Sequence, residues 1–194
     1  MSNVILFDDH HWVNLLPLTF TRPVSELRIG ILTLKEKWEK RLNIPVSYLT
    51  KHYLSEKYTT QIEEDNLFIN SRILPEDHIV SMIKNLQPNQ YVLLNDIVIC
   101  ARLTKEQTIA QTAHFDFSQD ILTGEAIHFD FEIQLINRPY DIFTINGAEL
   151  KKDFELITSG RFSQSISATN TVFGKFPVFL EEGVEMECAT INTN

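Results

Sequence analysis

The chain is 194 residues long with 43% hydrophobic and 10% aromatic side chains, enough to bury one substantial core and too few for a string of independent domains. Its 26 acids outnumber its 17 bases and leave a net charge of −9, which excludes the clustered cationic footprint of a nucleic-acid binder but not a phosphorylated small molecule, for which a few placed cations suffice. No apolar run approaches the roughly 20 residues that span a bilayer, and "MSNVILFDD" has neither a basic leader nor a small-residue cleavage site, so a cytoplasmic protein is expected.

The apolar run NVILF at 3–7 predicts a short strand of the kind buried on both faces of a parallel sheet. A polar loop follows to about Arg22. From there RPVSELRIGILTLKEKWEKRLN carries Leu27, Ile31, Leu34 and Trp38 at three- and four-residue steps, predicting one amphipathic helix. IPVSYL at 44–49 and NLFIN at 66–70 predict further strands, and PEDHIVSMIKNLQP a helix opened by Pro75, Glu76 and Asp77. In QYVLLNDIVICARL two apolar runs flank Asn95-Asp96, a pair suited to a two-residue hairpin turn. TKEQTIAQTA predicts a short helix and AIHFDFEIQLI a half-buried strand. RPYDIFTINGAELKKDFELITSG predicts helix on both sides of Asn146-Gly147, ending at Gly160. This alternation predicts an α/β fold, a mixed sheet flanked by helices.

Cys100 and Cys188 sit among apolar neighbours and read as reduced packing residues. After about Phe173, LEEGVE and MECATI each match the hexad rhythm of a left-handed parallel β-helix, with an ordinary hairpin as the alternative. The expected organisation is an α/β domain over 1–172 and, over 173–194, a linker with the first turns of a β-helix. The pattern breaks off at Asn194, so further hexads are expected in a longer protein.

Two constellations carry chemistry. The first is DDHH at 8–11, where four potential ligands in a row suggest a transition metal, although zinc sites draw on spaced ligands and the other histidines are scattered singly. A capping role for Asp8 or Asp9 is the structural alternative. The position at the end of a first strand favours ligand binding whatever the residue types, since open α/β sheets bind beyond the carboxyl ends of their strands. The second is PLTFTRPVSELRIG, which places Arg22 and Arg28 around an expected helix start with Thr19 and Thr21 nearby. Oriented amides and guanidinium groups suit a phosphate or pyrophosphate; the alternative is that Arg28 pairs with Glu26 or Glu36 while Arg22 anchors the loop.

VILF, a loop and then LLPLTFTRPVSELRIGILTLKEKWE resemble the opening of the sugar-1-phosphate nucleotidyltransferases, whose pattern runs strand, L-A-G-G-x-G-T-R, x-x-P-L-T and a K-P segment entering a helix. The resemblance is closer to a subgroup with a P-L-T-x-x-R-P-x-x-E-L-R-x-G opening, later segments like NSRILP and RPYDIF, and a left-handed β-helix after the catalytic-type domain. It implies a Rossmann-like nucleotide-diphosphosugar transferase fold. It also implies that a sugar 1-phosphate oxygen attacks the α-phosphorus of a nucleoside triphosphate, giving a nucleotide sugar and pyrophosphate.

By the same resemblance Leu6, Phe7 and Asp8 would line the base and ribose, with Thr19 and Thr21 completing the nucleotide site. Arg22 and Arg28 would be the catalytic phosphate-binding cations, and Asp8 and Asn146 would hold magnesium. A β-helix would make a homo-oligomer. The chain also departs from the pattern: FDDHHWVN stands where the glycine-rich loop would be, no glycine precedes Gly30, and Ser71 occupies the place where a metal-binding acid is expected. Asp96, the other candidate for that acid, lies in the predicted hairpin turn. These departures support an alternative function, a catalytically degenerate domain that binds a nucleotide or sugar phosphate, or scaffolds a β-helix acyltransferase.

Overall fold

The computed structural model describes residues 2–113, 117, 120 and 122–194. The chain divides into two compact units, Met1–Asp153 and Phe154–Asn194, a division that falls earlier in the chain than the expected boundary at residue 172.

In the first unit the strands are β1 (Asn3–Phe7), β2 (Val46–Leu49), β3 (Asp65–Asn70), β4 (Gln90–Leu94), β5 (Ile97–Thr104) and β6 (Glu125–Ile127). They form one mixed sheet in the order β2-β1-β3-β5-β4-β6. β1 is parallel to both β2 and β3, β5 runs antiparallel between β3 and β4, and β6 adds in parallel at the edge. The apolar run of β1 is explained by burial on both faces: Val4 and Leu6 join a cluster with Trp38, Leu67 and Ile69, while Ile5 and Phe7 join another with Phe68 and Leu103. The first face is covered by α1 (Leu34–Leu42) through Trp38 and by α2 (Asp77–Asn85) through Ile79, Val80 and Ile83. α3 (Lys105–Thr112) packs on β3 and β5. The predicted hairpin is present, with Asn95 and Asp96 at φ 48° and 65°, the paired left-handed conformation of a tight two-residue turn.

Two expectations are corrected. The predicted helix from Arg22 onward is α-helical only from Leu34: Val24–Glu26 makes a single 3-10 turn, Gly30 sits at φ +83°, and an Arg28–Thr33 bridge spans the residues between. Thr33 caps α1 through a reciprocal bond pair with Glu36, so the helix start is written in TLKE rather than in RPVSE. Ile31, placed on the buried stripe by the expected periodicity, is exposed, whereas Leu27 and Ile29 alternate inward around the exposed Arg28. Secondly, AIHFDFEIQLI is strand only over β6. Beyond it Phe129, Phe131 and Ile133 pack on the core without a ladder partner, so the alternation serves packing rather than pairing. The helix expected on both sides of Asn146-Gly147 is present as α4 (Pro139–Thr158), continuous through that pair, with Gly160 at φ +70° just beyond its end as expected.

In the second unit β7 (Thr171–Phe173) and β8 (Thr190–Asn192) pair in parallel, Thr171 opposite Thr190, an offset of 19 residues. Asn170 accepts from the Ala189 amide, 19 residues on like the strand pairing, and donates to the Met186 carbonyl. Cys100 is buried and free, as expected. Cys188 is free but exposed, at φ 53° in this unit, and is not a packing residue. No helix among the described residues is long and apolar enough to cross a membrane.

Candidate functional site

The sheet connectivity sets the site. From β1 the chain crosses to β2 on one side, then returns to β3 on the other, so the carboxyl ends of β1 and β3 flank a topological switch point, the usual ligand position in an open α/β sheet. The segments that leave these ends are Asp8–His11 after β1, Thr50-Lys51 after β2 and Ser71-Arg72 after β3.

Asp8 and Asp9 are both buried and differently partnered. Asp8 accepts from the Val24 amide at 3.1 Å and from the Thr50 hydroxyl at 2.7 Å. Burial dominates and pushes its carboxyl up to about 6, against the opposing pull of Thr50, Val24, Ser71 and Lys51. Ser71 Oγ is near enough to favour the charged form but makes no hydrogen bond of good geometry.

Asp9 accepts Arg72 Nε on both oxygens at 3.1 and 3.2 Å, an Arg72 terminal nitrogen, and Asn70 Nδ2 at 2.9 Å. Burial alone would raise the Asp9 carboxyl. The bonds and charge of Arg72 outweigh it and hold the group below the ordinary carboxylate value. Arg72 is fully buried, and its other terminal nitrogen reaches Asn137. Asp9 also caps the short 3-10 turn His10–Leu15 by accepting the His11 amide at 3.0 Å. The capping expectation for DDHH therefore holds for Asp9, and Asp8 holds the Val24 amide from across the loop. Among the described residues no group of three or more His, Cys, Asp or Glu side chains is placed to hold a metal ion.

The remaining expected site residues are dispersed. Leu6 and Phe7 lie in the core at 1% and 0% exposure, with the Phe7 ring stacked on Phe117 at 4.2 Å. Thr19 is buried and donates to the Trp12 carbonyl at 3.0 Å, while Thr21 is exposed. Arg22 is exposed and makes no hydrogen bond or ion pair with another described residue. Arg28 is also exposed, but it donates to the Ile31 carbonyl and lies 3.9 Å from Glu36, the pairing weighed from the sequence. Asn146, on α4, accepts the Gly30 amide at 2.8 Å. Asp8 and Asn146, expected to hold magnesium, each accept hydrogen bonds from the protein, and the two share no hydrogen-bond partner.

A second buried network holds the PLTFTRPVSELRIG segment in place. Asp153 of α4 accepts the Ile31 and Leu32 amides at 2.9 and 3.0 Å and pairs with Lys37 of α1. Glu149 also pairs with Lys37, at 2.9 Å, and burial, which would raise its carboxyl, is outweighed by Lys37 and Lys152. Leu15, Val24, Leu27, Ile29 and Leu34 form a cluster of their own, against which Ile142 and Ile145 of α4 pack. Arg72, Thr50, Lys37, Glu149 and Asp153 were not singled out in the sequence. Their signals were present but weak: a lysine between Leu34 and Trp38 on an apolar stripe, acids four apart in ELKKD, and an arginine directly after a buried strand.

The family model for sugar nucleotidyl transferases matches residues 4–162. No curated protein matches the chain significantly.

Proposed function

The chain belongs to the sugar nucleotidyl transferase family, and on that premise we propose that it moves a nucleotidyl group from a nucleoside triphosphate to a sugar 1-phosphate, releasing pyrophosphate. The observation that carries the reading is the extent of the family match, which runs from β1 through α4 and so takes in the whole sheet and the loops at its carboxyl edge. This chemistry needs positioning and charge neutralisation more than proton transfer. Arg22, exposed and uncommitted among the described residues, is the better candidate to meet a phosphate. Arg28 would first have to leave Glu36.

Two adjacent acids at a strand end would repel a triphosphate, but both acids of DDHH are met by protein donors. The charge of Asp9 is balanced by buried Arg72, and the buried Asp8 carboxyl is met by the Val24 amide and the Thr50 hydroxyl. The test is pyrophosphate release across a panel of four nucleoside triphosphates and common hexose 1-phosphates with magnesium, the divalent ion that family membership implies. At least one pair should turn over, and Arg22→Ala should lower its kcat/KM by on the order of 10- to 100-fold, the cost of one charge-assisted bond. Silence across the panel would overturn the reading.

One observation favours a second reading, binding without turnover: no glycine loop follows β1, and Asp8 and Asp9 in its place are bound to Thr50 and Arg72 of the neighbouring strand ends. Thermal stabilisation by a nucleotide sugar without any pyrophosphate release would identify it. The second unit, with parallel strands 19 residues apart against three hexads of 18, is proposed as the opening turn of a left-handed β-helix.

A further inference from the structure

A base entering the crevice needs an apolar surface, and Leu6 and Phe7 have their side chains in the core. Two large aromatic side chains stand in water on the neighbouring loops: Phe20, on the segment that follows β1, at 64% exposure, and Tyr53, in the turn that follows β2, at 56%. The two segments are tied together, since Tyr53 Oη donates to the Phe20 carbonyl at 3.0 Å. That bond uses the polar end of the phenol and leaves its ring face bare. Phe20 is anchored from the other side by its buried neighbour Thr19, which donates to Trp12. Arg22 follows two residues on.

Resting on the nucleotidyl transfer reading above, the geometry points to Phe20 and Tyr53 as the stacking surface for the nucleobase of the triphosphate, with Arg22 reaching its phosphates. A hexose is a poorer occupant. Its ring carries hydroxyls that need several polar partners, whereas Phe20 offers none and Tyr53, its proton given to the Phe20 carbonyl, offers only an acceptor. A base has an apolar π-face whatever its edge, and stacking on aromatic side chains is a general means of holding it. The surface therefore sets affinity for the nucleotide without choosing among bases.

The experiment is a calorimetric titration of the full chain with nucleoside triphosphates, run beside inorganic tripolyphosphate as a probe lacking the base. Phe20→Ala and Tyr53→Ala should each weaken nucleoside triphosphate binding on the order of tenfold and leave tripolyphosphate binding unchanged. Phe20→Leu and Tyr53→Leu, which keep apolar bulk without a π-face, should show smaller losses and serve if an alanine variant fails to fold. Phe143→Ala, on the outer side of α4, should leave both affinities at the wild-type value. Unchanged nucleotide binding in the Phe20 and Tyr53 variants, while the wild type binds, would overturn the stacking surface alone. Equal losses for tripolyphosphate would do the same, because they would report a displaced loop rather than a lost base contact. A wild type that binds no nucleoside triphosphate would overturn both this inference and the nucleotidyl transfer reading.

Discussion

Asp8 and Asp9 are adjacent acids of one sequence type whose environments separate them. Asp9 is held ionised by Arg72, so its contribution to stability is present above the unfolded carboxylate value near 3.8 and is lost as pH falls through its depressed folded value. Asp8 has the opposite sign. With a folded pKa of about 6 against 3.8 unfolded, its stabilising contribution is present at low pH and is lost as pH rises between those two values. At pH 8 the ionised Asp8 then costs up to about 3 kcal/mol of stability. Asp8→Asn keeps an oxygen for the Val24 amide and an amide group for Thr50. It should therefore raise the urea midpoint at pH 8, with the gain shrinking toward zero by pH 4. A gain of the same size at both pH values would contradict burial as the source of the shift. DDHH showed two carboxylates at the end of a strand. Which of them would be paired depended on Arg72, 63 positions away.

At the scale of elements, the loop before α1 has only a 3-10 turn and the Arg28–Thr33 bridge of its own, and α4 adds the bonds of Asn146 and Asp153 to it. A Cβ on Gly30 would lie 2.5 Å from an Asp153 oxygen and 2.9 Å from the Glu149 backbone, at a φ of +83° that side chains seldom adopt. Gly30→Ala should cost about 3 kcal/mol from backbone strain and overpacking together, read as a lower melting temperature. Gly147 is the contrast. It lies inside α4 with open space around it, so Gly147→Ala should stabilise by about 1 kcal/mol through helix propensity. Equal effects of the two substitutions would remove the argument that α4 sets the loop. The periodicity of Leu27, Ile31, Leu34 and Trp38 misplaced this helix start because a three-to-four spacing can also arise by chance across an extended segment. The capping box at Thr33 and Glu36 is the more local signal and marks the start correctly.

For the whole molecule, the three hydrophobic clusters and the residues packed on them all come from the first unit, between Val4 and Ile145. Residues 154–194 contribute no buried hydrophobic side chain, and their order comes from polar contacts such as the Arg161–Glu181 pair and the Asn170 bonds. A chain ended at Gly160, which keeps α4 and its terminal glycine, should melt within about 2–4 °C of the full chain, the shift that 1 kcal/mol produces at this size. A fall of tens of degrees would mean that the second unit completes the core of the first.

The sequence by itself determined the order of strands and helices, the Asn95-Asp96 turn and the family, because strand and helix periodicity, turn conformation and motif order are properties of near neighbours along the chain. Only the tertiary structure decided what the polar residues do. It turned Asn146 toward the Gly30 amide across 116 positions, set Arg72 on Asp9, and left Phe20, Tyr53 and Arg22 open to solvent. A buried charge takes whichever partner the packed fold brings within reach, and no local pattern records that distance.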